Sequence, residues 1–343
     1  AVARMEAGEQ NMTVAQLAKM SDILGRQILS LQKTMDFEIE GGRKLSGSVA
    51  TNYSKNGAIT MLCASLVNRG KTTLHGIPHI EEVSRYIEIM ESLGVSVRWI
   101  GDDTLEIVPP EKLTFEKMNV ESARRTRSFT FTGALIHWAP SFSFPHSGGC
   151  KMGERTIAAH KHGLEKFGVK IKTLEDRYEI RHGKLSPAEF VLYESSDTGA
   201  INMIIAASRI PGKSVIRFAP PNYQVQDVCF LLEKMGVQID GIGTTTLTVH
   251  GKADINETVE HYNSEDPIES MFFIAAGLVT KSELTITHCP IEFIELEMEK
   301  LRHMNVKFSL TKEYFSQNGR TRLVDITVYP SDIHAPAEKL HTQ

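Results

Sequence analysis

YIEIMESLGVSVRW, residues 86–99, runs an amphipathic helix into a glycine and then into a short strand of alternating apolar residues. The same figure returns three times, as HKHGLEKFGVKIKT at 160–173, VCFLLEKMGVQIDG at 228–241 and EMEKLRHMNVKFSL at 297–310. Its markers Gly94, Gly168, Gly236 and Asn305 stand 74, 68 and 69 residues apart, a spacing regular enough to identify an internal repeat. Gly and Asn tolerate the left-handed backbone that closes a helix, so each marker predicts a helix C-terminus, and the alternation after it predicts a strand.

The first half of the unit also recurs. ITMLCASLVNRGKTTLHGIPHIEEV (59–83), INMIIAASRIPGKSVIRFAPPNYQV (201–225) and MFFIAAGLVTKSELTITHCPIEFIE (271–295) each give an apolar helix, a strand and a Pro-containing turn. Every unit therefore reads as strand, helix, strand, helix, strand. Such a unit exposes one apolar sheet face and one helix stripe, so about three units must share a core before any is stable. Units ending near 105, 183 and 252 are expected to form one globule, with a fourth at roughly 258–330 standing alone. Ahead of them, TVAQLAKMSDILGRQILSLQK (13–33) carries Val14, Leu17, Leu24, Ile28 and Leu31 at helical spacing, and predicts an N-terminal helix packed on the body.

At 343 residues, 41% hydrophobic and 23% charged, the chain reads as a two-domain globular protein. No apolar run approaches the roughly 20 residues of a membrane span, and no secretory leader is seen, so a cytoplasmic protein is expected. A net charge of −4 argues against a nucleic-acid binder, leaving room for a local basic site that takes a small anion. The four cysteines lack metal or CxxC spacing, which predicts neither zinc nor disulfides. Cys63, Cys229 and Cys289 lie in apolar settings where a thiol acts as a small hydrophobe.

Cys150 has no such setting. In FPHSGGCKMGER (144–155) it stands between paired glycines and a Lys-x-x-x-Arg tail, ahead of a helix expected to start near Arg155 and Thr156. Cations and helix-end amides favour thiolate, so this thiol should be reactive. In TNYSKNGAI (51–59), Lys55 and Asn56 open an apolar helix, where a cation opposes the helix dipole unless an anion shares the place. ARRTRSFTFTGAL (123–135) offers Arg124, Arg125 and Arg127 to an anion or to solvent. In SSDTGAINM, Asp197 reads as an N-cap followed by Thr198 and Gly199. In SEDPIES, Asp266, Pro267 and Glu269 read as helix-start chemistry.

GGRKLSGSV, SKNGAI, GGCKMGERTIAAHKHGLEKFG, DTGAINMIIAAS and DPIESMFFIAAG occur in one order across about residues 38–330, and on them the chain resembles the enolpyruvyl transferase family. The resemblance implies an α/β (α+β) fold, an inside-out α/β prism of repeated βαβαββ units in two domains, the second incomplete. The boundaries expected are 1–37 for the helical extension, 52–257 for the first domain, and 38–51 plus 258–343 for the partial second. The family's last two units have no counterpart here, and its general base lies in the fifth.

By the same resemblance, the chain would transfer the enolpyruvyl group of phosphoenolpyruvate to the 3-hydroxyl of UDP-N-acetylglucosamine, the first committed step of peptidoglycan synthesis, without a cofactor or metal. Lys55 would contact phosphoenolpyruvate and Asn56 the sugar. Cys150 would act at the methylene carbon as proton donor or covalent partner, and be the target of fosfomycin. Arg155 would bind anion, His160 would lie beside the nucleotide, and Asp197, Thr198 and Gly199 would line the uridine diphosphate pocket. Strict register puts Thr126 at the family's phosphate-binding arginine, so Arg124, Arg125 and Arg127 compete for that role, with Arg127 preferred. Another enolpyruvyl transferase lacking the Gly-Gly-Cys loop, or a non-catalytic UDP-sugar-binding or regulatory homologue, are the alternatives. The number of subunits is left open.

Overall fold

The computed structural model describes residues 41–148 and 156–336. The expected helix at 13–33, with Cys150 and Arg155, lies outside them. Two compact units are found: Lys55–Asn263, and residues 41–54 together with 264–336.

In Lys55–Asn263 the helices are α1 (Lys55–Ser65), α2 (Glu81–Ser92), α3 (Val120–Arg124), α4 (Thr132–Leu135), α5 (Ala158–Lys166), α6 (Asp197–Ser208) and α7 (Tyr223–Lys234). Three sheets surround them. The first joins Val259–Tyr262, Thr72–His75, Leu105–Val108 and Ser96–Trp99. The second joins Ser141–Pro145, Arg177–His182 and Val169–Thr173, and the third Gln238–Asp240, Thr246–Gly251, Gly212–Arg217 and Glu189–Val191. Two of the pairings are parallel, Val259–Tyr262 on Thr72–His75 and Glu189–Val191 on Gly212–Arg217; the rest are antiparallel.

The other unit follows the same rule once. Ser48–Ala50 lies parallel to Leu284–Pro290, which pairs antiparallel with Arg322–Val328, itself the partner of Phe308–Leu310 and Tyr314–Phe315. Its helices are α8 (Pro267–Val279) and α9 (Glu295–His303). Asp266 caps α8 by accepting from the Ile268 amide, with Pro267 in the first turn, as its sequence implies.

All four markers adopt the left-handed backbone, Gly94 at φ 95°, Gly168 at 97°, Gly236 at 80° and Asn305 at 65°. Each closes a helix and releases the chain into a strand, the local act that generates the repeat. The second unit departs from the strand, helix, strand, helix, strand reading. Its first helix is broken into a 3₁₀ turn, Ser128–Phe131, and the four-residue α4. The β-branched and aromatic residues of SFTFT explain the weak helix there. α5 also begins at Ala158 rather than near Arg155 and Thr156; the Thr156 hydroxyl accepts from the Ala158 amide at 3.1 Å.

Within Lys55–Asn263, α1 and α6 are interior helices. α1 from Gly57 and α6 from Gly199 are buried to their last residue, because both sequences are apolar on every flank and find no face to give to water. α1, the 128–135 segment and α6 run parallel, and their carbonyl ends meet. Arg69 donates to the His137 carbonyl at 3.1 Å, His137 Nε2 to Ala206 at 2.9 Å, Trp138 Nε1 to Leu66 at 2.8 Å and Arg209 to Val67 at 3.2 Å. Burial lowers the His137 pKa to about 3, so a neutral ring makes that bond. Arg69 also lies 3.2 Å over the Trp138 ring. These donors satisfy the unpaired ends of the trio.

Asn202 ties the trio together midway. Its Oδ1 accepts from the Gly133 amide at 2.5 Å, and a Cβ on Gly133 would come within 2.3 Å of the Asn202 carbonyl. Gly133→Ala should therefore force two buried helices apart and cost about 1–3 kcal/mol. A urea denaturation midpoint equal to wild type would refute this packing account.

Candidate active site

If the carbonyl ends of α1, the 128–135 segment and α6 meet at one end, their amide ends share the other. Lys55 is the first residue of α1, Arg127 precedes the 3₁₀ turn, and Asp197 is the first residue of α6. Residues separated by 142 positions thus come to one place, where helix dipoles favour an anion.

The contacts there form a chain. Arg127 donates to Asn56 Oδ1 at 2.8 Å, and Asn56 donates to the Tyr223 hydroxyl at 3.2 Å. Lys55 pairs with Glu82 at 2.7 Å, and Arg127 reaches the other oxygen of Glu82 at 3.5 Å. Burial pushes the Glu82 carboxyl up, but the charges and hydrogen bonds of Lys55 and Arg127 outweigh it and hold its pKa below the ordinary 4.5. Asp197 accepts from Asn222 at 2.9 Å and Gln224 at 2.6 Å. Burial raises its pKa against those bonds and the Arg127 charge. The cap of α6 is Ser196, whose hydroxyl accepts from the Gly199 amide; Asp197 is not the N-cap its sequence suggests, because it is already helical and turned to Asn222 and Gln224.

A second group lies on the same turn of α6. His160 Nε2 is 3.4 Å from the Thr198 hydroxyl, while Asn202 donates to His160 Nδ1 at 2.9 Å. Burial lowers the His160 pKa to about 4, so the ring is neutral near pH 7, with its proton on Nε2 facing Thr198. Gly199 brings α6 close to α5: an added Cβ would lie 3.2 Å from that of Ala159.

Of the three arginines, only Arg127 joins Asn56. Arg125 turns to Glu121 at 2.9 Å along α3, and Thr126 is buried, donating to the Ser122 carbonyl. Seven of the nine candidate residues, Lys55, Asn56, Arg127, His160, Asp197, Thr198 and Gly199, are brought together; Cys150 and Arg155 lie outside the described residues. Gly148, just ahead of that segment, packs against the Arg124 carbonyl so tightly that no side chain fits. Sequence reasoning missed Glu82, Tyr223, Asn222 and Gln224. Glu82 in IPHIEEV looks like any acid in a helix's first turn, and Asn222-Tyr-Gln like an ordinary turn. A cavity of about 560 Å³ beside Lys170, Lys172, Glu179 and Arg181 contains none of these residues.

The three remaining described cysteines, Cys63, Cys229 and Cys289, are buried. Burial raises the pKa of each, Cys289 to about 11, which keeps them as inert thiols. Among the described residues no helix is long and apolar enough to cross a membrane, and no His, Cys, Asp and Glu cluster could hold a metal ion.

Helices packed within sheets, with Lys55 and Arg127 gathered at helix amide ends, define an α/β domain. The family model described as EPSP synthase (3-phosphoshikimate 1-carboxyvinyltransferase) matches residues 39–340, and the chain belongs to this family of transferases. It is 31% identical over 261 residues to the UDP-N-acetylglucosamine 1-carboxyvinyltransferase of Bradyrhizobium diazoefficiens, covering 76% of this chain and 60% of that protein. The Deinococcus radiodurans enzyme of the same name is 30% identical, covering 78% of this chain and 63% of its own. The chain thus spans about three-fifths of the length of these relatives. In fold it is similar to the enolpyruvyl transferase NikO of Streptomyces tendae, with a TM-score of 0.69 at 18% identity over 86% of this chain and 68% of that one. EPSP synthase of Acinetobacter baumannii gives 0.64 at 16% identity, over 85% and 66%.

Because the Glu82 pKa is lowered on folding, its contribution to stability is full above pH about 4.5 and is lost as pH falls through the lower folded value. Glu82→Gln should cost about 1–2 kcal/mol at pH 7 and flatten the acid side of the melting-temperature profile. Superimposable profiles for the two proteins would remove Glu82 from this role.

Proposed function

We propose that the chain transfers the enolpyruvyl group of phosphoenolpyruvate to the 3-hydroxyl of UDP-N-acetylglucosamine and releases phosphate, in the cytoplasm, as the first committed step of peptidoglycan synthesis. The observation that carries this reading is the Lys55, Asn56 and Arg127 group at converging helix amide ends. It is supported by the names of the relatives. Residues 41–54 and 264–336 are read as part of a second domain whose first is Lys55–Asn263; the boundary expected at 257/258 moves because Val259–Tyr262 pairs with Thr72–His75 in the first domain's sheet.

In this reading Lys55 and Arg127 leave Glu82 to hold the phosphate and carboxylate of phosphoenolpyruvate, charge replacing charge. Asn56 orients the sugar, with Tyr223 holding its amide. Cys150 gives a proton to the methylene carbon as the sugar oxygen bonds to the neighbouring carbon and loses its own proton to a base. The tetrahedral adduct then returns a proton from the methyl carbon and expels phosphate. Arg155 adds positive charge, and neutral His160 with Thr198, Gly199 and Asp197 lies against the nucleotide.

Phosphate release should require both substrates, and Arg127→Ala or Lys55→Ala should lower kcat/KM by about 10² or more. Saturable binding of UDP-N-acetylglucosamine with no phosphate release would instead identify a non-catalytic UDP-sugar-binding homologue. Fosfomycin should add one covalent equivalent, lost in Cys150→Ser, while the buried Cys63, Cys229 and Cys289 stay unmodified. Mass spectrometry showing equal labelling of these thiols would count against a special role for Cys150.

A further inference from the structure

The smaller unit contains a cavity of about 370 Å³ that no residue of the candidate active site lines; Tyr53, Glu265, His288, Tyr314, Phe315 and Ser316 are on its wall. Glu265 is 5% exposed. Ser316 donates to its Oε1 at 3.0 Å, but among the described residues Oε2 is buried with no hydrogen-bond partner. A buried carboxyl oxygen left in this way asks for a donor.

The wall opposite is specially made. The pairing of Leu284–Pro290 with Arg322–Val328 slips between Ile286 and Cys289, and within the slip His288 takes a φ of 60°. Its amide is pinned by donating to both the Tyr314 hydroxyl and Asp325 Oδ1 at 3.1 Å, and the Tyr314 hydroxyl donates to the same carboxylate at 2.6 Å. A bulge re-aims the side chain it carries, and a non-glycine residue holds this backbone only where its surroundings enforce it. Burial raises the Glu265 pKa, against the bonds from Ser316 and from its own backbone amide and the His288 charge, so the carboxyl is incompletely compensated.

An ionised Glu265 needs a donor at that oxygen, and a positive charge balances it better than a neutral hydroxyl. Tyr53, Tyr314 and the 66%-exposed Phe315 add the aromatic faces that attract an ammonium group. We propose that this cavity is a binding site for a small organic cation, whose primary ammonium group pairs with the Glu265 carboxylate. The ligand has a charge opposite to that expected at Lys55 and Arg127, and the inference does not rest on the function proposed for them.

Isothermal titration of the full chain with n-butylammonium and with 1-butanol, its neutral counterpart, tests the assignment. Saturable binding of n-butylammonium at least tenfold tighter than 1-butanol is expected. Glu265→Gln should abolish that preference, and Phe315→Ala should weaken the amine several-fold. No saturable binding, equal affinity for the alcohol, or an unchanged preference in folded Glu265→Gln would each overturn it. The comparison of the two probes on the wild-type chain decides even where the Glu265 variant does not fold.

Discussion

Helices that are apolar on every flank cannot stand singly in water, and α1 and α6 are helices of this kind. They are stable only when packed against each other's surroundings and enclosed by sheets. Parallel packing has an electrical consequence. Three carbonyl ends gather at one pole, where Arg69, Arg209, His137 and Trp138 answer them, and three amide ends gather at the other. Hydrophobic packing in the middle of Lys55–Asn263 thereby gathers Lys55, Arg127 and helix amide ends at its rim.

Lys55 shows how that constraint shapes chemistry. A cation on the first turn of a helix is unfavourable by itself, and its ion pair with Glu82 offsets the cost. Glu82 in turn stays ionised because two cations outweigh its burial. The three charges hold one another ready, and an entering anion would compete with Glu82 rather than meet bare cations. His160 works by the opposite rule, since burial without a charged partner keeps it neutral.

Much of the fold was legible in the chain because its signals are local. Gly94, Gly168, Gly236 and Asn305 announce helix ends, and each took the left-handed backbone that such an end requires. Asp266 and Pro267 marked the start of α8. Where a neighbour in space decides, local signals misled. Ser196 caps α6 because Asp197 is drawn to Asn222 and Gln224. For the site, Lys55 stood out as a cation against a dipole, whereas Glu82 and Tyr223 carried no mark.

The sequence by itself determined the repeat, the helix ends that mark it, its apolar helices and the residues able to attract an anion. Those follow from backbone preference and hydrophobic period, which act over a few residues. Only the tertiary structure decided which arginine meets Asn56, which acid balances Lys55 and Arg127, and that Asn202 joins Gly133 to His160. Charge and hydrogen bonding depend on distances across the fold, and three arginines within four residues of chain compete, Arg127 only preferred, until packing sends Arg125 to Glu121 and Arg127 inward.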